Sequence, residues 1–301
     1  MKPIYKIMFA FSLVMFVAAI VAIAVYGLNF GVDFKGGSVL RLELNPPAGG
    51  DRPSVEDIRE AVAGLEELKG KEVNINLAGD KEVIIRTDVL SEVEHQKVVA
   101  DLNSRFSDLG IIEKQFDSVG PTIGEELRNK SLVAVIIVLV AIMIYLAIVF
   151  RKLSGTLSLW VMNAATVIAL LHDIVIPLGV FAVLGHFLGV QISAIFVAAI
   201  LTILGYTVSD KVVIFDRVRE NILRGSKEDL GIIVHKSVMQ TLVRSINNTL
   251  TVLLSSVAIF LFGGDSIKYF ALALILGVTL GAYSSIFVAS PLLVWASKKR
   301  G

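Results

Sequence analysis

The chain has 301 residues and a formal net charge of +1, so it carries no general positive field of the kind that gathers nucleic acid. A hydrophobic content of 55% and a mean hydropathy of +0.76, concentrated in long uncharged runs, exclude a chain built only from ordinary soluble domains. There is no cysteine, which excludes disulfides, thiol catalysis and cysteine-based metal sites.

In chain order, Lys2 and Lys6 precede an apolar run over residues 7–28. It is longer than a cleaved signal core and is followed by no small-x-small site, so a retained first membrane helix is expected. Further runs at about 131–150, 157–184, 191–215, 246–263 and 268–296 approach or exceed the roughly 20 apolar residues that cross a bilayer. The pattern predicts six transmembrane helices. The third and sixth runs exceed the minimum, which predicts tilt or overhang, and Pro177 predicts an interruption with a kink in the third. Basic residues set the orientation. Lys2 and Lys6, then Arg151 and Lys152, then Arg217, Arg219, Arg224, Lys227 and Lys236, then Lys298, Lys299 and Arg300 all fall on one side if every run crosses once. The two short opposite loops carry only Lys268. Both termini are therefore expected in the cytoplasm, together with a loop over 216–244, while residues 29–130 face outward.

Residues 29–130 have the pattern of a soluble α+β domain. Val39, Arg41 and Glu43 alternate with Leu40, Leu42 and Leu44, as in a strand. Pro53–Ser54 opens a helix with Val55, Ile58, Val62, Leu65 and Leu68 on one face. Val73–Leu77 and Val83–Thr87 read as strands about a turn at Gly79–Asp80. Ser91 and Glu94 form a capping box for a helix carrying Val98, Leu102, Phe106 and Leu109, and Ile111–Val119 is a last strand. The order strand-helix-strand-strand-helix-strand is the ferredoxin-like arrangement. Nothing in it looks catalytic. His95, on a highly charged helix, is expected to be solvated, and the domain reads as a binding or lever module.

Ionisable residues within apolar runs cost at least about 2.5–3.5 kcal/mol each at mid-bilayer, so function is sought there first. Candidates are His172 and Asp173 in the third run, Asp210 and Lys211 in the fourth, Asp216 and Arg217 at its end, and Arg244 at or just before the start of the fifth. Helical spacing puts Tyr206 and Thr207 within a turn of Asp210, and Arg217 two turns on, along one polar stripe. Two readings stand for Asp210: a carboxylate whose protonation follows the conformation of the bundle, as a relay requires, or a structural ion pair with Lys211. For Asp216, Arg217, Arg219 and Glu220 an interfacial charge cluster is the simpler reading, and for His172 and Asp173 the choice is open. Histidines at 95, 172, 186 and 235 show no ligand spacing, so no metal is expected. Ala273, Gly277, Gly281, Ser285 and Ala289 recur every four residues in the sixth run, a small-residue ridge for close helix packing, either within this chain or against a partner.

The segments GVDFKGG (31–37), VGPTIG (119–124), LHDIVIPLGVF (171–181), GYTVSDKVVIFDRVREN (205–221), QTLVR (240–244) and FGG (262–264) resemble, in this order and over essentially the whole chain, the SecF family of the bacterial protein-export machinery. The resemblance implies one half of an RND-type transporter. Such a chain would act with SecD beside the SecYEG channel, with YajC as a further candidate partner, in the cytoplasmic membrane. It would use a proton or, in some members, a sodium gradient to help move unfolded preprotein outward. It also implies no cofactor and no enzymatic step in this chain, ATP hydrolysis belonging to SecA. Carried over by residue, Asp210 and Arg244 match the family's ion-relay pair. Asp216 and Arg217 match the end of the same motif, and Gly31, Asp33, Gly36 and Gly37 match the extracytoplasmic signature. Ser209 stands where asparagine is usual, Lys211 where serine or threonine is usual, and Met239 where asparagine is common. Lys211 adds a second cation beside Asp210, which bears on the identity of the coupling ion. Two other functions compete: a small-molecule exporter of the RND type, and a structural assembly factor in which Asp210 and Arg244 only pack.

Overall fold

A computed structural model of the chain describes residues 1–45, 53–78, 81–151, 158–225 and 228–298. The expected turn at Gly79–Asp80, and Lys152, Lys227, Lys299 and Arg300 of the orientation count, lie outside the described residues. The chain divides into two compact units, residues 30–130 and the remainder, 1–29 with 131–301.

Apart from residues 121–130, which belong to 30–130 and open the second helix, the second of these units contains the helices long and apolar enough to cross a membrane, six among the described residues. They are α1 (Pro3–Tyr26), α5 (Pro121–Val149), α6 (Leu159–Leu188), α7 (Ala194–Leu223), α8 (Leu230–Phe262) and a last segment made of α9 (Asp265–Ser284), a π-helical turn (Ser285–Ala289) and α10 (Ser290–Lys298). The runs read from hydropathy mark the hydrocarbon-spanning part, and most of the helices continue past them. Residues 216–244, expected as a loop, are helical on both sides of a short connection, because α7 ends at Leu223 and α8 begins at Leu230. Charged side chains at these ends pair at helical spacing, Arg219 with Asp216 and Arg217 and Arg224 with Glu220, which supports helix outside the apolar region. Pro177 sits inside one continuous α6 and does not interrupt it.

Small residues set the packing. A Cβ on Gly179 would lie 2.5 Å from Ala19 Cβ, so α1 and α6 touch nearly backbone to backbone there. On α9, a Cβ on Gly277 would meet Ile203 Cδ1 at 2.3 Å and one on Gly281 would meet Thr207 Cγ2 at 2.1 Å. The small-residue ridge therefore packs against α7 of the same chain. The π turn follows directly. Pro291 has no N–H for a regular helical bond, and the Ser290 hydroxyl donates to the Ser285 carbonyl at 2.8 Å.

The other unit contains a short α2 (Val32–Lys35), β1 (Gly37–Glu43), α3 (Val55–Ala63), β2 (Val73–Ala78), β3 (Glu82–Thr87), α4 (Glu92–Arg105) and β4 (Ile112–Val119). The strands form an antiparallel sheet in the order β2-β3-β1-β4. The core is built as the alternation predicts, from Leu40, Leu42 and Leu44 with Ile58, Val62, Val98 and Leu102. The first expected helix is shorter than read. It stops at Gly64, and Leu65 and Leu68 reach the core from a 3-10 turn instead. His95 corrects a second expectation, being only 6% exposed. Its ring stacks on Phe116 at 3.7 Å between centroids, and its nitrogens lie 3.1 Å from Glu113 and 3.5 Å from Glu92. His95 shares the buried face of α4 with Val98 and Leu102, where Phe116 and Glu113 of β4 cover it.

The capping box at the start of α4 is present: Ser91 Oγ accepts from the Glu94 amide, and the Ser91 amide donates to Glu94 Oε2 at 2.7 Å. The Lys71 ammonium, 2.8 Å from Glu94 Oε1, and these Ser91 bonds lower the Glu94 carboxyl from an ordinary 4.5 to about 2. A carboxyl lowered on folding stabilises fully above its unfolded value, so Glu94 contributes in full above about pH 4.5, and this is lost as the pH falls toward 2. Ser91→Ala is expected to cost about 1 kcal/mol and to speed amide exchange in the first turn of α4 relative to β1 and β3.

Candidate functional site

The charged residues of the membrane-spanning unit fall into a fixed group and an unpaired group. Asp173 on α6 and Lys211 on α7 are both 0% exposed, and Lys211 Nζ donates to Asp173 Oδ2 at 2.7 Å and to the Thr207 carbonyl at 3.3 Å. His172 Nδ1 is 3.2 Å from the other carboxylate oxygen, and the Ser284 hydroxyl of α9 lies beside it. The imidazole is held between Phe16 of α1 and Tyr283 of α9, both nearly parallel to it. His172 and Asp173, undecided in the sequence, are thus buried at the centre of the helix packing. Lys211 pairs with Asp173 and not with its neighbour Asp210. Consecutive residues of a helix point about 100° apart, so Lys211 turns into α6 while Asp210 turns toward α8.

Asp210 is 4% exposed, and its Oδ2 has no hydrogen-bond partner among the described residues. The groups acting on it are Ser245, Lys211, Arg244 and, repulsively, Asp173. The hydroxyls of Tyr206, Thr207, Ser245 and Thr249 are likewise buried, and none makes a well-formed hydrogen bond among the described residues. Tyr206 faces Thr249, and Asp210 faces Ser245, across α7 and α8. An unpaired buried polar atom costs about 1–3 kcal/mol, so a row of them is tolerated only where water, a proton or a cation reaches it. Ser245 and Thr249 were not singled out from sequence. Their signal was an i, i+4 polar pair beginning one residue after Arg244.

Arg244 lies in the middle of α8, not at its start, and is exposed on the chain's surface. It lines a cleft of about 610 Å³ together with Asp216, Arg217, Glu220, Gln240 and Thr241. Within the cleft Arg217 Nε donates to Gln240 Oε1 at 2.7 Å, and Asn221 Nδ2 donates to the same oxygen at 3.0 Å and to Ser237 Oγ at 2.8 Å. Asp216 and Arg217 therefore do not join Asp210. Arg217, with Asn221, clamps α7 to α8 one turn before Arg244, while Asp216 lines the cleft and pairs with Arg219 of its own helix.

Gly31, Asp33, Gly36 and Gly37 belong to the other unit. Gly36 and Gly37 have φ of +81° and +117°, and a Cβ would meet Pro121 Cα at 2.8 Å and the Thr87 carbonyl at 2.7 Å respectively. Gly124 presses on the same loop, its Cβ position lying 2.9 Å from the Gly36 amide nitrogen. The two glycine motifs pack on each other, which demands glycine for space as well as for the positive φ. Gly31 caps α2 with extended backbone, and Asp33 occupies its first turn.

Residues 98–299 match the family model described as protein export membrane protein SecD/SecF, C-terminal, and residues 21–48 match the SecD/SecF GG motif. The chain belongs to the SecD/SecF family. A protein translocase subunit SecF from Thermobaculum terrenum is 39% identical over 297 residues, covering 95% of this chain and 90% of the relative. One from Synechocystis is 40% identical over 270 residues, covering 90% and 83%. The crystal structure of SecDF from Thermus thermophilus superposes with a TM-score of 0.80 at 31% identity, over 98% of this chain. A super-membrane-facing form of SecDF gives 0.67 at 30%. This chain spans 38% of either SecDF chain.

The C-terminal SecD/SecF match includes every membrane-spanning ionisable residue described above, and the GG match contains the two strained glycines. Within this SecD/SecF bundle, Lys211→Met is expected to cost about 3–5 kcal/mol, because it leaves a carboxylate buried without its cation. Adding Asp173→Asn is expected to recover most of that loss. Thermal unfolding of the two variants in detergent, beside the parent, checks the coupling.

Proposed function

We propose that this chain is the SecF subunit of a Sec protein translocase, working with a SecD-type half to turn an ion gradient into outward movement of preprotein. The protein-export family and the SecF names of its relatives support the translocase assignment. The share of SecDF that it spans supports a partner half. On this reading the six helices lie in the bacterial cytoplasmic membrane with both termini inside, as the basic flanks favour. The four-stranded unit is then an extracytoplasmic domain of ferredoxin-like type that handles emerging chain, its strand-helix-strand-strand-helix-strand order being the support. SecYEG would be the channel, SecA the ATPase, and YajC a further neighbour. The chain itself would need no cofactor beyond its coupling ion.

The observation that carries the energetic part is the buried, unpaired oxygen of Asp210 facing α8. An ionised carboxylate is costly there, and it is relieved by a proton, by water or by approach of Arg244. These states favour different separations of α7 and α8. Proton entry and release at Asp210 would therefore bias the helix pair between two arrangements, which is what coupling requires.

The test is gradient-stimulated export into inverted membrane vesicles, with ion flux measured in parallel. Asp210→Asn and Arg244→Met are expected to assemble with the SecD half and to abolish the gradient-stimulated component, leaving ATP-driven export in place. Normal stimulated export by both assembled variants would reduce Asp210 and Arg244 to packing residues and make the subunit structural. Co-purification with drug-efflux components in place of a SecD half would point to a small-molecule exporter.

A further inference from the structure

The SecF-like reading leaves one group unused: a fully buried lysine at the crossing of three helices. Lys211 Nζ is bound by the Asp173 carboxylate of α6 and the Thr207 carbonyl of α7, with the Ser284 hydroxyl of α9 beside the same carboxylate. A carboxylate, a main-chain carbonyl and a hydroxyl converging from separate helices is the chemistry that holds a small alkali cation. An ammonium is a compact single positive charge that satisfies the first two of these oxygens, with the hydroxyl on the carboxylate beside it, but it is covalently tied and cannot be exchanged.

We propose that Lys211 determines the coupling ion: its ammonium permanently occupies a sodium-type oxygen site, so this chain is driven by protons and does not respond to sodium. The groups facing the ammonium and its carboxylate are Thr207 on α7, His172 on α6 and Ser284 on α9. None of these supplies a second negative charge; the nearest further carboxylate, Asp210, acts on the pair from a direction turned toward α8. A sodium ion entering there would meet a fixed positive charge with no water between. The carboxylate left without a partner is Asp210, whose neighbours Ser245 and Arg244 are on α8. A carboxylate among hydroxyls with the Arg244 guanidinium acting on it is suited to gaining and losing a proton, and that guanidinium supplies the positive charge a metal cation would otherwise bring.

The inference rests on the ion-coupled reading above, but its main readout does not depend on coupling. Lys211→Thr and Lys211→Ser remove the tethered cation and supply a hydroxyl in the space it vacates. Thermal unfolding of the full chain in detergent is compared in sodium chloride and in choline chloride of equal strength. The parent is expected to unfold at the same temperature in both. The two variants are expected to be destabilised in choline and rescued in sodium, by about 3–5 °C when sodium is about ten times its dissociation constant. Lys211→Met, which offers no oxygen, is expected to show no rescue. In vesicles, the parent is expected to export under an imposed proton gradient and not under a sodium gradient. Sodium-driven export or sodium-linked stability in the parent overturns the proposal. So does the absence of rescue in both hydroxyl variants, including the case in which they stay unfolded in either salt. Failure of the Asp210 test with sodium rescue intact would discard the relay and keep the cation site.

Discussion

The contact between Lys211 and Asp173 is the constraint from which the rest of the helix arrangement follows. Two opposite charges with no exposed surface survive in a membrane-spanning bundle only at hydrogen-bond distance and with their remaining valences met. That condition fixes the depth and rotation of α6 against α7, since a shift of one residue on either helix would turn one charge away from the other. It also fixes Asp210. A side chain next in sequence to Lys211 cannot share its direction, so it is presented to α8 whatever its own preferences. Burial of one charge pair thus creates the exposed need of the next carboxylate.

The surrounding packing serves the same geometry. Gly277 and Gly281 let α9 close onto Ile203 and Thr207 of α7, bringing Ser284 to the Asp173 carboxylate. The π turn after Ser284 is where Pro291 would otherwise break the hydrogen-bond ladder. On the other side, Ala19 and Gly179 allow α1 to lie against α6, and the Tyr283 hydroxyl donates to the Met8 carbonyl at 2.6 Å. Each close approach uses a residue without a large side chain, because bilayer lipid offers helices no hydrophobic reason to associate. Shape and hydrogen bonds have to do so.

What was legible in the sequence follows from how local each signal is. Apolar runs, the Ser91–Glu94 capping box and the alternation of Leu40, Leu42 and Leu44 depend on a few neighbouring residues, and the structure has them where they were expected. The helix ends were misplaced because hydropathy marks where lipid is, and a helix held by charged pairs continues into water. His95 was misread because its shelter comes from Phe116 on another element. The same reason hid the partner of Lys211. Sequence adjacency suggested Asp210, while the pairing that exists joins residues 38 positions apart. The small-residue ridge was visible as a period of four, but which helix it meets is a tertiary fact. For the signature glycines, the match of motif was visible in the sequence, whereas the demand for space created by Pro121, Gly124 and Thr87 was not.

Charge in the bundle is divided by how free it is to change. Asp173, His172 and Lys211 are enclosed by α1, α6, α7 and α9, and α6, α7 and the last segment are about half buried along their spans. Asp210 and its row of buried hydroxyls look instead toward α8, a helix only 17% buried over its most apolar stretch, with Arg244 open on its surface. A group that must trade protons needs a wall that can move or admit water, and on the Arg244 side of the pair α8 meets α7 through polar contacts, Arg217 and Asn221 with Gln240 and Asn221 with Ser237. Polar contacts of that kind re-form after a small sliding motion more readily than interlocked apolar side chains do. The enclosed ion pair therefore holds the frame rigid, and the responsive carboxylate sits where the frame is loosest. Exchanging those positions would give a bundle that deformed at its centre and could not respond at its edge.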